Sequence, residues 1–188
     1  MTTITPKTVN ELLDYWPGNI PFKGSLVSEN GCMCAQGQAL HFLDGVTSAA
    51  LRDYTQAAAD KRVAELFGIS RAHSVLLRIV NDRQDGAPTS VIRKPQQVLG
   101  DQAQCVLAFW RHLDRMTAAA RAAAGEAARE AARAAAWEAA WAVAWATNEI
   151  QGAAVMRAKG LPFFFLPLFG FADPEAVMAA DNNLSRTA

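Results

Sequence analysis

The stretch "RAAAGEAAREAARAAAWEAAWAVAWATNEIQG", Arg121 to Gly152, constrains the fold more than any other part of the sequence. Alanine is the strongest helix former, so the run predicts a long helix. On a helix, seven alanines share one face with spacings of three and four, close to an eleven-residue repeat. A face of methyl groups lets a second helix approach closely. These alanines are Ala124, Ala128, Ala131, Ala135, Ala139, Ala142 and Ala146.

The opposite face of this predicted helix begins with charged residues and continues as a stripe of three tryptophans, Trp137, Trp141 and Trp145. An aromatic stripe at helical spacing is typical of core packing, here under the apolar segment "LPFFFLPLFGF" (161–171). It is also typical of a subunit interface, since tryptophan is enriched in binding hot spots. In that second interpretation the chain is a homo-oligomer whose interface consists of Trp137, Trp141, Trp145, Ala128, Ala135 and Ala139.

Helix signals continue through the rest of the chain. Thr8 and Ser70 stand where N-caps are expected, and Gly68 stands where a helix ends. Two long helices are expected, one from Thr47 to Phe67 and one from Pro95 to Met116. A further helix is expected from about Cys32 to Leu43, and Asp173 caps a short one beginning at Pro174. The sequence therefore predicts an all-α fold with one long alanine-rich helix packed closely against a partner helix.

A three-part organisation within a single domain follows from these signals. Residues 1–115 are expected to form a helical core, residues 116–160 the alanine-rich helix, and residues 161–188 a buried aromatic segment and a short helix. A chain of 188 residues is long enough to bury a sizeable core as one domain.

Composition excludes several classes of partner. Eighteen basic residues balance eighteen acidic ones, so no overall field attracts a nucleic acid polymer or an anionic membrane. The apolar segment 161–171 is too short to span a bilayer. The N-terminus lacks the basic and apolar regions of a secretion signal, and three cysteines do not suggest a disulfide scaffold. The expected location is the cytoplasm.

"GCMCAQG" (31–37) is the strongest candidate for chemistry. A cysteine at a helix N-terminus has its thiolate stabilised by free amides and the helix dipole. Cys34 could act as a nucleophile, with His73 as base and Asn81 or Asp82 orienting it, as in cysteine hydrolases. The alternative is a buried structural cysteine. A metal site using Cys32, Cys34 and Cys105 is weaker because the spacing is unusual for zinc, so no metal and no cofactor are predicted.

A second hypothesis concerns polar residues on two helices. If the helix that follows Cys34 packs beside the one that follows Ser70, several polar side chains converge on one ligand site. The competing interpretation of the segment "NDRQDG" (81–86) is turn chemistry at a helix end. The predicted ligand-binding residues are Gln36, Gln38, His73, Arg78, Asn81 and Asp82.

Five motifs in the first 115 residues carry a family resemblance. They are "WPG" (16–18), "CMCAQGQAL" (32–40), "LFGI" (66–69), "VNDRQDGA" (80–87) and "QQVLGDQAQCVLAFWRHLD" (96–114). Their order resembles an uncharacterised all-helical family of bacterial and phage proteins, with Trp-x-x-Gly, Cys-Ala-x-Gly-Ala, Trp-Asn-Asp and Glu-Val-Leu elements. Here Gln38 separates Gly37 from Ala39, and Val80 stands in place of the tryptophan. The resemblance implies a phage or prophage setting and the host cell cytoplasm, and it implies no catalytic residues.

These observations favour a non-enzymatic, oligomeric binding protein. The expected ligand is a small, nucleotide-type host signalling molecule, whose sequestration would counter an antiviral defence. Two alternatives stay open: a cysteine-dependent hydrolase using Cys34, and a protein-binding inhibitor acting through the tryptophan stripe.

Overall fold

A computed structural model describes residues 5–135 and 166–185, and the side chains of residues 5–127 and 166–183 among them. The described residues form ten α-helices and two 3-10 turns. They contain no β-strand, and one isolated antiparallel bridge joins Val27 to Met33. The predicted all-α fold is confirmed. The chain divides into two compact units, Met1–Val98 and Leu99–Ala188.

Seven helices lie in the first unit or at its end. The helix α4 packs against both α2 and α5, and α2 also contacts α5 and α1. Their fully buried side chains include Leu12, Leu40 and Leu76, and the indole of Trp16 stacks on Phe67 at 6.3 Å between ring centroids. The helices are α1 (Val9–Tyr15), α2 (Ala35–Asp44), α3 (Ser48–Asp53), α4 (Gln56–Phe67), α5 (Arg71–Arg83), α6 (Thr89–Arg93) and α7 (Gln96–Leu99).

Helix ends follow the capping residues that the sequence contains. The Thr8 hydroxyl accepts the amide of Glu11, and the Glu11 carboxylate accepts the amide of Thr8, which completes a capping box. The Ser70 hydroxyl accepts the amide of His73. Gly68 ends α4 with a φ of +63°, a conformation that glycine adopts without strain. These three predicted helix ends are confirmed.

Three predicted helix boundaries are wrong. The helix expected from Thr47 to Phe67 is divided, because the Thr55 hydroxyl accepts the amide of Ala58 and starts α4 anew. The helix expected near Cys32 begins at Ala35, with Cys34 as its N-cap. The helix expected from Pro95 to Met116 is divided at Gly100, whose φ of +74° ends α7.

The second unit contains α8 (Ala103–Arg115), α9 (Ala118–Ala135), the 3-10 turn Leu166–Phe169 and α10 (Pro174–Ser185). The helix α8 packs against α10, and α9 contacts the 3-10 turn. Phe109 meets Phe169 edge to face at 5.1 Å between ring centroids. Arg111 and Arg115 of α8 both donate to the buried carboxylate of Asp181 in α10.

The alanine-rich run is described only in its first part. The helix α9 starts after Thr117, whose hydroxyl accepts the amide of Ala120. Trp137, Trp141, Trp145 and Ala139 lie outside the described residues, as do the side chains of Ala128 and Ala135. The interface prediction and the three-part division of the chain therefore stay predictions. No helix within the described ranges is long and apolar enough to cross a membrane.

Candidate functional site

A buried polar network surrounds Gln36 on the core face of α2. Its Nε2 donates to Asp60 Oδ1 at 2.9 Å, to Ser74 Oγ at 3.0 Å and to the Ser74 carbonyl at 3.1 Å. Its Oε1 accepts from Gln56 Nε2 at 2.8 Å. Arg78 completes the group, and we call these five residues the Gln36 network. Every hydrogen-bonding atom of the Gln36 amide group therefore has a protein partner.

The network also neutralises a buried charge. Asp60 is only 5 % exposed, and Arg78 Nε donates to its Oδ1 at 3.3 Å. A buried carboxylate is tolerated when it is paired and hydrogen-bonded. Gln36 and Arg78, both predicted to bind a ligand, lie close together. Both donate to the carboxylate of Asp60, so these donors are used within the protein. The network joins α2, α4 and α5.

His73 has a similar internal role. Its side chain is buried, and its Nε2 lies 2.7 Å from the carbonyl oxygen of Val91. Because a carbonyl only accepts, Nε2 carries the proton and donates it there. The bond joins α5 to α6, and Nε2 is therefore not a free base.

Asn81 and Asp82 hold a loop in place. The Asn81 side chain is buried; its Oδ1 accepts from the Ala35 amide at 3.3 Å and its Nδ2 donates to the Phe22 carbonyl at 2.8 Å. Asp82 Oδ1 accepts from the Gly24 amide at 2.9 Å. The "NDRQDG" segment (81–86) therefore connects the end of α5 to the start of α2 and to the loop 22–24. We call these bonds of Asn81 and Asp82 the bracket.

An exposed ion pair adds to this bracket. Lys23 Nζ lies 2.9 Å from Asp85 Oδ1, and this hydrogen bond lowers the pKa of Asp85. Exposed pairs of this kind contribute little to stability. The buried bonds of Asn81 therefore carry most of the restraint on the loop.

The structure argues against an activated Cys34. The side chain is buried at the N-cap of α2, and its Sγ accepts from the Gly37 amide at 3.4 Å. Burial raises the pKa of this thiol and outweighs the amides that lower it. The pKa of the Cys34 thiol is therefore raised overall, which is opposite to the lowering expected from the helix N-terminus. With His73 Nε2 bonded to Val91 and Asp82 bonded to Gly24, the described bonds do not assemble a catalytic triad.

The other cysteines give no metal centre. Cys105 is buried in the second unit, where burial raises its pKa to about 11. Cys32 is exposed, and all three thiols are free. In the part of the chain that the structure describes, no three histidine, cysteine or acidic side chains are grouped to hold a metal ion.

A groove of about 510 Å³ lies on the other face of α2. The rings of Tyr15, Phe22 and Phe42 line it, and Ile20 adds a further apolar side chain to the lining. Ile20 is 58 % exposed and Phe22 is 43 % exposed, so the groove presents apolar surface to solvent. Tyr15 meets Phe42 edge to face at 5.6 Å between ring centroids. We call this cavity the groove.

The bracket described above shapes one wall of the groove. Phe22 is held from two sides, because its amide donates to the Met33 carbonyl at 2.8 Å and its carbonyl accepts from Asn81. Gly37 allows the loop to lie directly on α2, since a Cβ there would stand 1.9 Å from the Leu26 carbonyl oxygen. These contacts therefore hold the Phe22 backbone and the loop against α2 at one wall of the groove.

Gln38 is the one predicted ligand-binding residue that lines the groove. Its Nε2 donates to the Met33 carbonyl at 3.3 Å. Its Oε1 is shielded from water and has no hydrogen-bond partner among the described residues. A buried acceptor without a donor costs about 1–3 kcal/mol. This oxygen is a place where a bound donor would gain a hydrogen bond.

Sequence reasoning did not assign the other lining residues to a site, among them Tyr15, Asn19, His41 and Phe42. One signal pointed to His41, because it follows Gln38 by three residues and so shares its face of α2. Tyr15 and Asn19 flank the Trp-Pro-Gly turn, which gave no indication that it lies against α2.

Comparisons with known proteins give no relative: no family model matches the chain, and neither a curated protein nor a solved structure is significantly similar to it. The resemblance to a helical bacterial and phage family therefore stays a prediction.

Proposed function

We propose that this protein is a non-enzymatic binding protein that holds a small, planar, nucleotide-type molecule in the groove. The observation that carries the proposal is the unpartnered Oε1 of Gln38, a residue that lines the groove together with Tyr15, Phe22 and Phe42. Ligand sites are typically concave and mostly apolar, with a few polar groups that fix orientation. A volume of about 510 Å³ lies within the usual range for such sites.

The lining favours the base of a nucleotide over its phosphates. Aromatic side chains stack on the faces of bases, which contributes about 1–3 kcal/mol per base. Among the described residues that line the groove, none is Lys, Arg, Asp or Glu. Phosphates would then remain in solvent at the open side. Because Gln38 Oε1 is shielded from water, the side chain would rotate away from the Met33 carbonyl to present this oxygen to a donor on the base.

The thiol chemistry supports binding over hydrolysis. A cysteine nucleophile needs a thiolate and a free base, whereas burial raises the pKa of Cys34 and His73 Nε2 is bonded to Val91.

The biological part of the proposal rests on the family resemblance and on the alanine-rich helix. In a phage or prophage setting, an oligomeric protein that sequesters a host signalling nucleotide would counter an antiviral defence. Native mass spectrometry of protein purified from cells measures both parts, since it reports the number of copies and any retained ligand. A strictly monomeric protein would contradict the oligomeric part.

The two tyrosines of the chain provide a matched test of the groove. Tyr15 lines the groove, whereas Tyr54 lines a separate cleft of about 360 Å³ in the same unit. The purified protein is titrated with nucleosides and with cyclic and linear nucleotides, and its melting temperature is followed. A ligand at one hundred times its Kd stabilises the folded state by about 2.7 kcal/mol.

We expect Tyr15→Ala to weaken binding by about tenfold through the lost stacking contact, and Tyr54→Ala to leave it unchanged. Absence of a thermal shift with every member of the panel would contradict the proposed function. Equal losses in both variants would contradict the placement of the ligand in the groove.

A further inference from the structure

A tight turn lies beside the groove, and two of its residues, Gly31 and Cys32, line that cavity. The Ser28 amide donates to the Cys32 carbonyl at 2.7 Å, and the Gly31 amide donates to the Ser28 carbonyl at 3.0 Å. Gly31 has a φ of +80°, a left-handed conformation that commonly ends a three-residue hairpin loop. Residues 29–31 therefore form a defined, hydrogen-bonded turn.

Asn30 occupies the middle of this turn. Its side chain is exposed and makes no hydrogen bond to any residue that the structure describes. The next residue is a glycine, and no other asparagine of the sequence precedes one. A Cβ built on Gly31 would meet no atom within 4 Å, so the space beside this peptide bond is open. The Asn30 side chain is therefore free to approach the Gly31 nitrogen.

This arrangement allows the asparagine amide to be lost without an enzyme. The Gly31 nitrogen attacks Asn30 Cγ and gives up its proton to a base in the solvent. The new bond closes a five-membered succinimide ring, the bond from Cγ to Nδ2 breaks, and the departing nitrogen takes up a proton to leave as ammonia. Water then opens the ring at one of its two carbonyl carbons, which produces an aspartate or an isoaspartate. The whole reaction consumes water and releases ammonia, and it needs no oxidant or reductant.

We infer that Asn30 is a site of spontaneous deamidation, at which the folded chain acquires a carboxylate beside the groove. Every other asparagine is followed by a residue with a Cβ, which hinders attack by the backbone nitrogen. Asn10, Asn81 and Asn182 also lie within α-helices, whose backbone conformation does not allow the ring to close. Asn30 is therefore the asparagine that reacts first.

The turn itself slows the reaction. The Gly31 N–H donates to the Ser28 carbonyl, and this bond must open before the nitrogen can attack. From the net contribution of one such hydrogen bond, the folded chain should react about tenfold more slowly than the unfolded chain.

The reaction changes both charge and geometry next to the groove. Either product adds a negative charge, whereas none of the described residues that line the groove is Lys, Arg, Asp or Glu. The isoaspartate product also adds one carbon atom to the main chain, which lengthens the turn that positions Gly31 and Cys32. The inference goes beyond the proposed function and does not depend on it, because the reaction is measured without a ligand.

Peptide mapping of the full chain tests the inference. One sample is incubated folded at mildly alkaline pH with a thiol reductant, and a second is incubated at the same pH in guanidinium chloride. Circular dichroism verifies that the first sample stays folded. Mass spectrometry identifies each converted asparagine, and a protease that cuts before aspartate separates the aspartate product from the isoaspartate product. We expect Asn30 to convert first in both samples, about tenfold more slowly in the folded one.

Asn30→Gln is the matched control. It keeps an exposed amide in the turn, but attack by the Gly31 nitrogen would have to close a six-membered ring, which forms much more slowly. Ammonia release from the folded variant should therefore fall well below that from the native chain. Equal release from the two proteins would overturn the inference, because the ammonia would then come from other residues.

The mapping distinguishes the remaining outcomes. Earlier conversion of another asparagine in the folded chain would overturn the assignment to Asn30. An intact Asn30 in the folded sample, after the denatured sample has fully converted, would overturn a reaction of the folded state. Equal rates in the two samples would overturn the restraint by the bond to Ser28.

Discussion

Two glutamines of α2 stand two residues apart and therefore face opposite sides of the helix. Gln36 faces the core, where Gln56, Asp60 and Ser74 meet its amide group completely. Gln38 faces the groove, where its donor is bonded and its acceptor is not. A glutamine side chain is therefore fully hydrogen-bonded on the core face of α2, whereas the glutamine on the groove face keeps one acceptor without a partner.

This difference separates polar residues that build the fold from those available to a ligand. Sequence alone groups Gln36 and Gln38 together, since both are polar and lie near a suspicious cysteine. In the structure the two residues differ because both amide atoms of Gln36 have hydrogen-bond partners, whereas only the nitrogen of Gln38 has one. The predictions below change one side of this comparison at a time and run from the largest expected effect to the smallest.

Gln36→Leu should have the largest effect. The change removes the partner of Asp60, Ser74 and Gln56, and a buried group left without a partner costs about 1–3 kcal/mol. We expect the free energy of unfolding to fall by about 3 kcal/mol, measured by urea denaturation. A loss below about 1 kcal/mol would mean that the network is not part of what holds α2, α4 and α5 together.

Asn81→Ala should have the next largest effect, because it removes buried bonds to Ala35 and Phe22. We expect the free energy of unfolding to fall by about 2 kcal/mol and nucleoside binding to weaken, since Phe22 forms a wall of the groove. The matched control is Asp85→Ala, which removes only the exposed pair with Lys23. Equal behaviour of the two variants would contradict the bracket described for Asn81.

Asp181→Asn tests a paired charge in the second unit. The hydrogen bond from Arg111 lowers the pKa of Asp181 in the folded state, and the bond from Arg115 adds to it. A carboxyl group with a lowered pKa stabilises the fold above its ordinary pKa of about 3.9, and this stability is lost as the pH falls through the lowered value.

The arginines are partly exposed, so the contribution of Asp181 is discounted to about 1 kcal/mol at neutral pH. Urea denaturation at pH 7 should show this difference between the native protein and Asp181→Asn. The difference should shrink as the pH falls below about 4, where the carboxyl group of the unfolded chain becomes protonated, and should be lost once the pH passes the lowered pKa of the folded state. A difference independent of pH would exclude the charge as its cause.

Gln38→Leu should have the smallest effect on stability. It removes one hydrogen bond to Met33 but also removes a buried acceptor that lacks a donor, and these contributions oppose each other. We expect the free energy of unfolding to change by no more than about 0.5 kcal/mol, measured by urea denaturation. A large loss of stability would show that the Gln38 oxygen has a structural partner.

Much of the fold follows from local chemistry that the sequence displays. Thr8, Ser70 and Gly68 determine helix ends through bonds to residues three or four positions away, so they could be identified directly. The breaks at Thr55 and Gly100 were missed because apolar periodicity continues across both. A capping residue in the middle of a periodic run either starts a new helix or lies within a continuous one. Tertiary packing decides between these two structures, and the local sequence does not show it.

The site was less predictable because partners decide it. Gln36 lies on α2, and Arg78, Asn81 and Asp82 lie on α5, which packs against it. Their roles depend on Asp60, Phe22 and Gly24, which are far away in sequence and supply the opposing atoms. A sequence shows which residues are polar and which face of a helix they occupy. Whether every donor and acceptor of a side chain has a partner is seen only in the folded structure.

Cys32 is the exposed thiol among the three, and it lines the groove, while Cys34 and Cys105 are buried. The native chain thus carries its own attachment point for an environment-sensitive dye, with no engineered cysteine needed. A fluorophore placed there would report an occupied groove by a change in emission. An unlabelled chain would report it by slower alkylation.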